Sequence, residues 1–190
     1  MNKEEIKRNL LGAIEVALFM PTIEKRFGGE YQEALRSFFI PVLLFPIALL
    51  TLYLFPLPSM AEGSENTISM LYSLRYAGAI ALFLGTVYIL SVKIDRQHHF
   101  LQFVTANNWV AVPSTLLLLP VVGLVYAGVY SPDQLFPFMV SMILYTYAFT
   151  AFIAMRIFRI PWEMGMFIAF CSLAINQGSF RIMDWVAQMI

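Results

Sequence analysis

Residues 91–109, SVKIDRQHHFLQFVTANNW, form the one long polar interruption in a chain that is otherwise a succession of apolar runs. Runs of about 20 apolar residues are long enough to cross a bilayer as helices. Whichever side of a membrane this stretch occupies, the alternation of crossings then assigns a side to every other connection. Composition points the same way: 59% of the residues are hydrophobic and only 13% are charged, where soluble domains carry roughly a quarter charged. The formal net charge is zero, so nothing draws the chain as a whole to nucleic acid. The single cysteine, Cys171, lies in an apolar run and excludes an intrachain disulfide.

The apolar runs are read at 38–57, 72–92, 110–130, 135–155 and from Trp162 onward. The expected fold is all-α: a polytopic membrane protein, a bundle of five transmembrane helices with an N-terminal amphipathic helix. Trp162 and Trp185 are about 35 Å apart along a helix, which suits aromatic residues at two membrane interfaces. A shorter last span ending near Phe180, followed by a surface tail, fits the polar residues Asn176, Gln177, Arg181 and Asp184 equally well. Pro41, Pro46, Pro113 and Pro120 predict kinks, whose freed carbonyls need partners from neighbouring helices.

The start of the chain is basic and then briefly apolar, like a secretory signal, but Glu15 interrupts it and no small-x-small cleavage site follows. Ile6, Leu10, Ala13, Ile14, Ala17 and Leu18 recur at helical spacing, which predicts an amphipathic helix lying on the membrane or packed on the bundle, the second being the plainer reading. Gly28-Gly29 breaks it, and a short helix over 30–37 leads into the first span. The expected division is a cytoplasmic segment, 1–37, and a membrane domain, 38–190.

Orientation follows from the basic residues. Lys3, Lys7, Arg8, Lys25, Arg26 and Arg36 precede the first span, Lys93 and Arg96 lie in the second connection, and Arg156 and Arg159 in the fourth. The first and third connections have none. The positive-inside rule therefore places the N-terminus in the cytoplasm and the C-terminus outside.

Few residues carry chemistry. His98-His99 beside Asp95 suggests a metal, but adjacent helical side chains diverge by about 100°, and no cysteine or carboxylate cluster supports a metal or haem. Lys93, Arg96, Arg156 and Arg159, with the basic N-terminal segment, could form a patch for anionic headgroups or an acidic partner, or simply enforce topology. Asn107 and Asn108 are expected to cap a helix or bond across to a neighbour, with Trp109 at headgroup level. Arg75 stands at the edge of the second span. Residues 76–92 nearly suffice to cross, so its guanidinium is expected to snorkel to the outer headgroups rather than act as a functional intramembrane charge. Ala77, Ala81 and Gly85 form a small-xxx-small stripe suited to close helix packing. There is no nucleotide loop, nucleophile elbow or series of buried acids, so neither an enzyme nor a cofactor is expected.

RSFFIPVLLFP (Arg36 to Pro46) and TANNWVAVP (Thr105 to Pro113), within a cytoplasmic N-terminal segment, five close spans and an external C-terminus, resemble the Yip family of Rab-interacting membrane proteins and its bacterial relatives. The DLYGP-like motif of eukaryotic members is missing, so Rab binding does not carry over. The resemblance implies a bacterial inner-membrane protein that organises the membrane or binds other membrane proteins or itself, without catalysis. Prolines in the first and third spans and the polar 176–181 tract leave a transporter or channel component for a small solute as the alternative.

Overall fold

In lipid every backbone N–H and C=O must be paired within the protein, which leaves helices as the solution for apolar runs without strand alternation. The computed structural model describes residues 1–55 and 65–189, the side chains of 65 and 66 aside. Most of the connection between the first two apolar runs, residues 56–64 with the acidic Glu62, falls outside them. The helices are α1 (Lys3–Ala17), α2 (Tyr31–Ser37), α3 (Phe39–Leu54), α4 (Glu65–Lys93), α5 (Phe100–Tyr126), α6 (Pro132–Phe158) and α7 (Trp162–Ala187), with 3-10 turns at Pro21–Lys25 and Gln97–His99. Among the described residues five stretches are long and apolar enough to cross a membrane: Tyr31–Leu54, Thr67–Lys93, Gln97–Tyr126, Pro132–Phe158 and Trp162–Ala187, with mean hydropathies from 1.2 to 2.2. The chain is an all-α, multi-pass integral membrane protein.

Local chemistry sets the helix ends. Asn2 Oδ1 caps α1 by accepting from Glu5 N–H at 2.8 Å. Ser131 and Gln134 form a reciprocal capping box at the start of α6, with Pro132 in the first turn. Chain reversals follow α1, α4 and α6 at Phe19, Asp95 and Arg159, each left-handed with φ of 52°, 57° and 53°. Asp tolerates that region, whereas for Phe and Arg it costs roughly 1–2 kcal/mol, so tertiary contacts must hold them there.

The polar interruption is shorter than the sequence suggests. α5 begins at Phe100, not near Val110, and the connection from α4 is only residues 94–99. The cause is burial: Phe103, Val104, Ala106, Trp109 and Val110 lie on the helix face at the middle of the main core. Around them pack Ala13 and Val16 of α1, Ile23, Phe27, Ala34 of α2, Val87 of α4, and Phe149, Ile153 and Phe158 of α6. The N-terminal segment 1–37 thus shares one core with the spans. A smaller cluster, Leu52, Ile68, Tyr72 and Met183, joins α3, α4 and α7. The last helix continues unbroken past Phe180 to Ala187, with Trp162 and Trp185 both exposed.

α1 docks by a different face from the one its periodicity selects. Asn9, Gly12, Ala13 and Val16 are buried, while Ile6, Leu10, Ile14 and Leu18 remain 39, 37, 46 and 61% exposed. Small size decides this. A Cβ on Gly12 would stand 2.7 Å from Arg26 Cβ and 2.8 Å from the Phe27 ring, so only that face lets the following segment come so close.

α6 and α7 meet just as tightly at Gly165, where a Cβ would lie 2.7 Å from the Ala151 carbonyl oxygen. Backbone cannot yield as a flexible side chain can. Gly165→Ala is expected to lower the thermal midpoint in detergent by several degrees. Gly123→Ala, in a helix of the same bundle but with nothing within 4 Å of the added methyl, should leave it level or slightly raised, since Ala is the better helix former. Equal midpoints for the two variants would contradict this packing.

Candidate functional site

Two polar constellations stand out, one at the basic end of the bundle and one near its far end. At the basic end two of the cations expected to form a patch, Arg156 and Arg159, hold the protein's own N-terminal segment. Arg156, in the last turn of α6, donates to the Pro21 carbonyl at 2.7 Å and pairs with Glu24 at 3.0 Å. Arg159 reaches the other oxygen of Glu24 at 3.7 Å. Gln102 on α5 donates to the carbonyls of Glu24 and Phe27 at 2.8 and 3.0 Å, fixing the same turn from the opposite side.

Ion pairs tie α1 to α2 and to the turn between them. Glu33 of α2 is almost buried and accepts from Arg8, from Asn9 Nδ2 at 3.1 Å and from Gly28 N–H at 3.3 Å. Arg36 pairs with Glu5 at 3.2 Å. Glu15 accepts from Arg26 Nε at 2.8 Å and from the Thr22 hydroxyl at 2.9 Å. The Arg26 hydrogen bond holds the Glu15 carboxyl below its ordinary value and outweighs the opposing cost of burial, with the Thr22 bond and the Arg26 charge adding smaller amounts in the same direction. Arg8, Arg26, Arg36, Arg156 and Arg159 are therefore all engaged by carboxylates of this chain. Lys93, the last residue of α4, is exposed, and Arg96 is half-buried on the α4–α5 connection.

His98 and His99 differ from the expectation of divergent rings. On their 3-10 turn the centroids are 4.1 Å apart and the planes tilted by 44°, although adjacent residues there are about 120° apart around the axis. Among the described residues no group of three or more metal-ligating side chains forms.

Asn107, Asn108 and Trp109 lie two turns inside α5 and cap nothing. Asn108 is buried and donates to the Ser37 hydroxyl at 2.9 Å, and that hydroxyl donates to the Ala34 carbonyl at 2.7 Å, so the amide bonds across to the end of α2. Asn107 is half-buried beside it. Trp109 is not at headgroup level: it is 3% exposed within the main core. The early start of α5 moves all three residues inward together.

The second constellation centres on Arg75. Its Cα lies 18 residues before Lys93, about 27 Å along α4, toward the end opposite the basic one. The guanidinium does not snorkel outward. It turns into the α4–α7 contact, donating to Asn176 Oδ1 and, at 3.1 Å, to the Ser179 hydroxyl. The Phe180 ring stacks with its centroid 3.4 Å from Cζ, and Tyr72 lies 5.3 Å away. Asn176 in turn donates to the Tyr147 hydroxyl at 3.1 Å, which brings in α6. Tyr76 donates to the Pro41 carbonyl at 3.3 Å, tying α3 to the same region. The acceptors and the aromatic face on α7 win over the headgroups because they meet the fork without extending the side chain. Gln177 and Arg181 are exposed, and Asp184 accepts from Gln188 at 3.5 Å.

The Ala77, Ala81 and Gly85 stripe is exposed. A Cβ on Gly78 or Gly85 would meet nothing within 4 Å, and α4 touches α7 and α5 by its other faces. Among the described residues, the stripe packs against no helix, which leaves it open for a helix from outside the chain. Beside it, Leu84, Gly85 and Tyr88 line an apolar groove of about 360 Å³ with Phe38 of the α2–α3 junction and Phe100 and Val104 of α5.

Sequence reasoning missed Glu24, Gln102, Tyr147 and Ser179. None has a spacing that marks it, since each acquires its role from a partner on a distant element.

A carboxylate whose folded pKa is depressed contributes stability that is present above its unfolded value and lost as pH falls through the folded one. Glu15→Gln should therefore lower the melting temperature relative to wild type at about pH 7, and the gap should close as the pH drops below about 4. A gap independent of pH would sink that account. Glu24→Ala, which removes the acceptor shared by Arg156 and Arg159, should speed tryptic cleavage at Lys25 and Arg26 severalfold while membrane insertion is retained. Unchanged cleavage would show that the turn is held by other means. No protein-family model, curated protein or solved structure matches the chain.

Proposed function

We propose that this integral membrane protein is a non-catalytic scaffold or adaptor that associates within the bilayer, through the outward small-residue face of α4, with a second copy or another membrane protein. The observation that carries the reading is the exposed Ala77–Ala81–Gly85 stripe, with open space at Gly78 and Gly85. Lipid chains are as apolar as leucine, so association of helices in a membrane depends on close van der Waals approach, and small residues allow it. The resemblance to the Yip family agrees with a partner-binding role. In this reading the basic end faces the cytoplasm, in an inner membrane, as the lysines and arginines around it favour.

The second reading, a transporter or channel component, is favoured by the desolvated Arg75 beside Asn176, because a charge at span depth usually serves a pathway. Against it, Arg75 packs on Tyr72 and Phe180 and joins Tyr147 through Asn176, filling the place where a conduit through the 176–181 tract would have to run.

Ala81→Leu and Gly85→Leu put bulk on the stripe without touching the monomer's core. Native mass spectrometry of protein released from membranes should show an oligomer or hetero-complex for wild type, reduced at least severalfold in the double variant at unchanged thermal stability. A wild type that is strictly monomeric and without partners, or a variant that associates equally well, would overturn the proposal. Solute flux in proteoliposomes that is lost in Arg75→Met would support the second reading.

A further inference from the structure

α1 is too short to span, yet it is not at the rim of the bundle. The Tyr145 hydroxyl donates to the Ala17 carbonyl at 3.3 Å. Phe19, held left-handed at φ 52°, inserts its ring among Tyr145, Phe149 and Phe152 with centroid separations of 5.8, 5.9 and 5.3 Å. Tyr145 stands 158 − 145 = 13 residues before Phe158, the last residue of α6, about 20 Å of helix. The 27 residues of α6 extend about 40 Å, so α6 overhangs a hydrocarbon core of about 30 Å by about 5 Å at each end. The Tyr145 backbone then lies about 15 Å below the boundary on the basic side. Even with its side chain reaching back toward that side, the Ala17–Phe19 end of α1 sits beneath the headgroups.

The rest of α1 agrees with that depth. Ile6, Leu10, Ile14 and Leu18 recur every fourth residue and are 39, 37, 46 and 61% exposed, with Leu11 at 40% and Met20 at 43%. This stripe continues the outward surface of α6, where Leu144 is 53% and Tyr145 44% exposed. The polar groups at the deep end are satisfied within the protein: Glu15 by Arg26 and Thr22, and the Leu18, Phe19 and Met20 N–H groups by carbonyls of the last turn. Lys3 and Lys7, both exposed, stand at the other end of the helix, suited to lipid phosphates.

We propose that α1 is embedded in one leaflet only, on the basic side, with its Ile6–Leu10–Ile14–Leu18 stripe covered by lipid acyl chains. Such a helix adds cross-section to a single leaflet, as interfacial amphipathic helices do at depths of about 5–10 Å, but here it is locked to the spans through Phe19.

Single nitroxides at Leu10→Cys, Ile14→Cys and Leu18→Cys, in a Cys171→Ser background, test this with the full chain in phosphatidylglycerol–phosphatidylethanolamine vesicles. Leu144→Cys serves as the reference. Collisions with oxygen are expected to exceed those with a water-soluble nickel chelate at all three sites, increasingly toward position 18 and approaching Leu144. Adding Phe19→Ala should raise nickel access at position 14 severalfold. Nickel dominance at positions 14 and 18 would mean the stripe faces water, and suppression of both reagents would mean a protein covers it; either overturns the proposal. If Leu144 itself reports water, the span assignment fails and the inference fails with it.

Discussion

The first turns of α5 hold the molecule together. Phe103, Ala106 and Trp109 form the middle of a core to which α1, α2, α4 and α6 each contribute, and α3 packs on the same helix. Phe103, Phe149 and Phe158 are fully buried there, and truncating a residue of that kind to Ala costs about 3–5 kcal/mol in a typical core. The driving force is not uniform over the bundle. Where the Pro21–Lys25 turn covers the basic end, burial removes apolar surface from water and the ordinary hydrophobic effect applies. Deeper in the spans the alternative to a protein contact is a lipid contact, so shape and polar pairing decide. Gly165 against the Ala151 carbonyl and Asn108 against Ser37 belong to that second regime.

Polar groups are consequently concentrated where they join elements distant in sequence. Gln102 satisfies two carbonyls of a turn 78 and 75 residues earlier. Arg75 reaches residues 101 and 104 positions later. Each such link is specific because breaking it leaves a buried polar partner unpaired, at a cost of about 1–3 kcal/mol, whereas an apolar side chain parted from its protein neighbour is met by lipid instead. Arginine suits these positions: its planar fork serves two acceptors and an aromatic face together, as at Asn176, Ser179 and Phe180.

Pairing of this kind also explains the basic end. Ten cations clustered there would repel one another if left open, and the carboxylates of α1, α2 and the intervening turn answer five arginines among them. Glu24 draws Arg156 and Arg159 together although they end a helix more than 130 residues away in the chain. Arg156 and Arg159, read in sequence as part of a patch for an outside anion, clasp Glu24 of the same chain, while Lys3, Lys7 and Lys93 stay exposed beside three apolar surfaces: the α4 stripe, the neighbouring groove and the outer face of α1.

Hydropathy and the spacing of charges were enough to determine an all-α, multi-pass chain with five spans and an amphipathic first helix, because solvation in lipid acts on composition residue by residue. The same local logic misjudged Trp109 and the start of α5, since polar residues at 91–109 look like a loop until α1 and α2 are there to bury the face of 100–109. It also could not tell that Arg75 turns inward, that α1 docks by Gly12 and Ala13 rather than by its isoleucines and leucines, or that the stripe of α4 faces out. Those outcomes depend on which side chains meet across elements far apart in the chain. Only the packed tertiary structure decides that, because close approach and hydrogen-bond pairing are properties of two surfaces and not of either one alone.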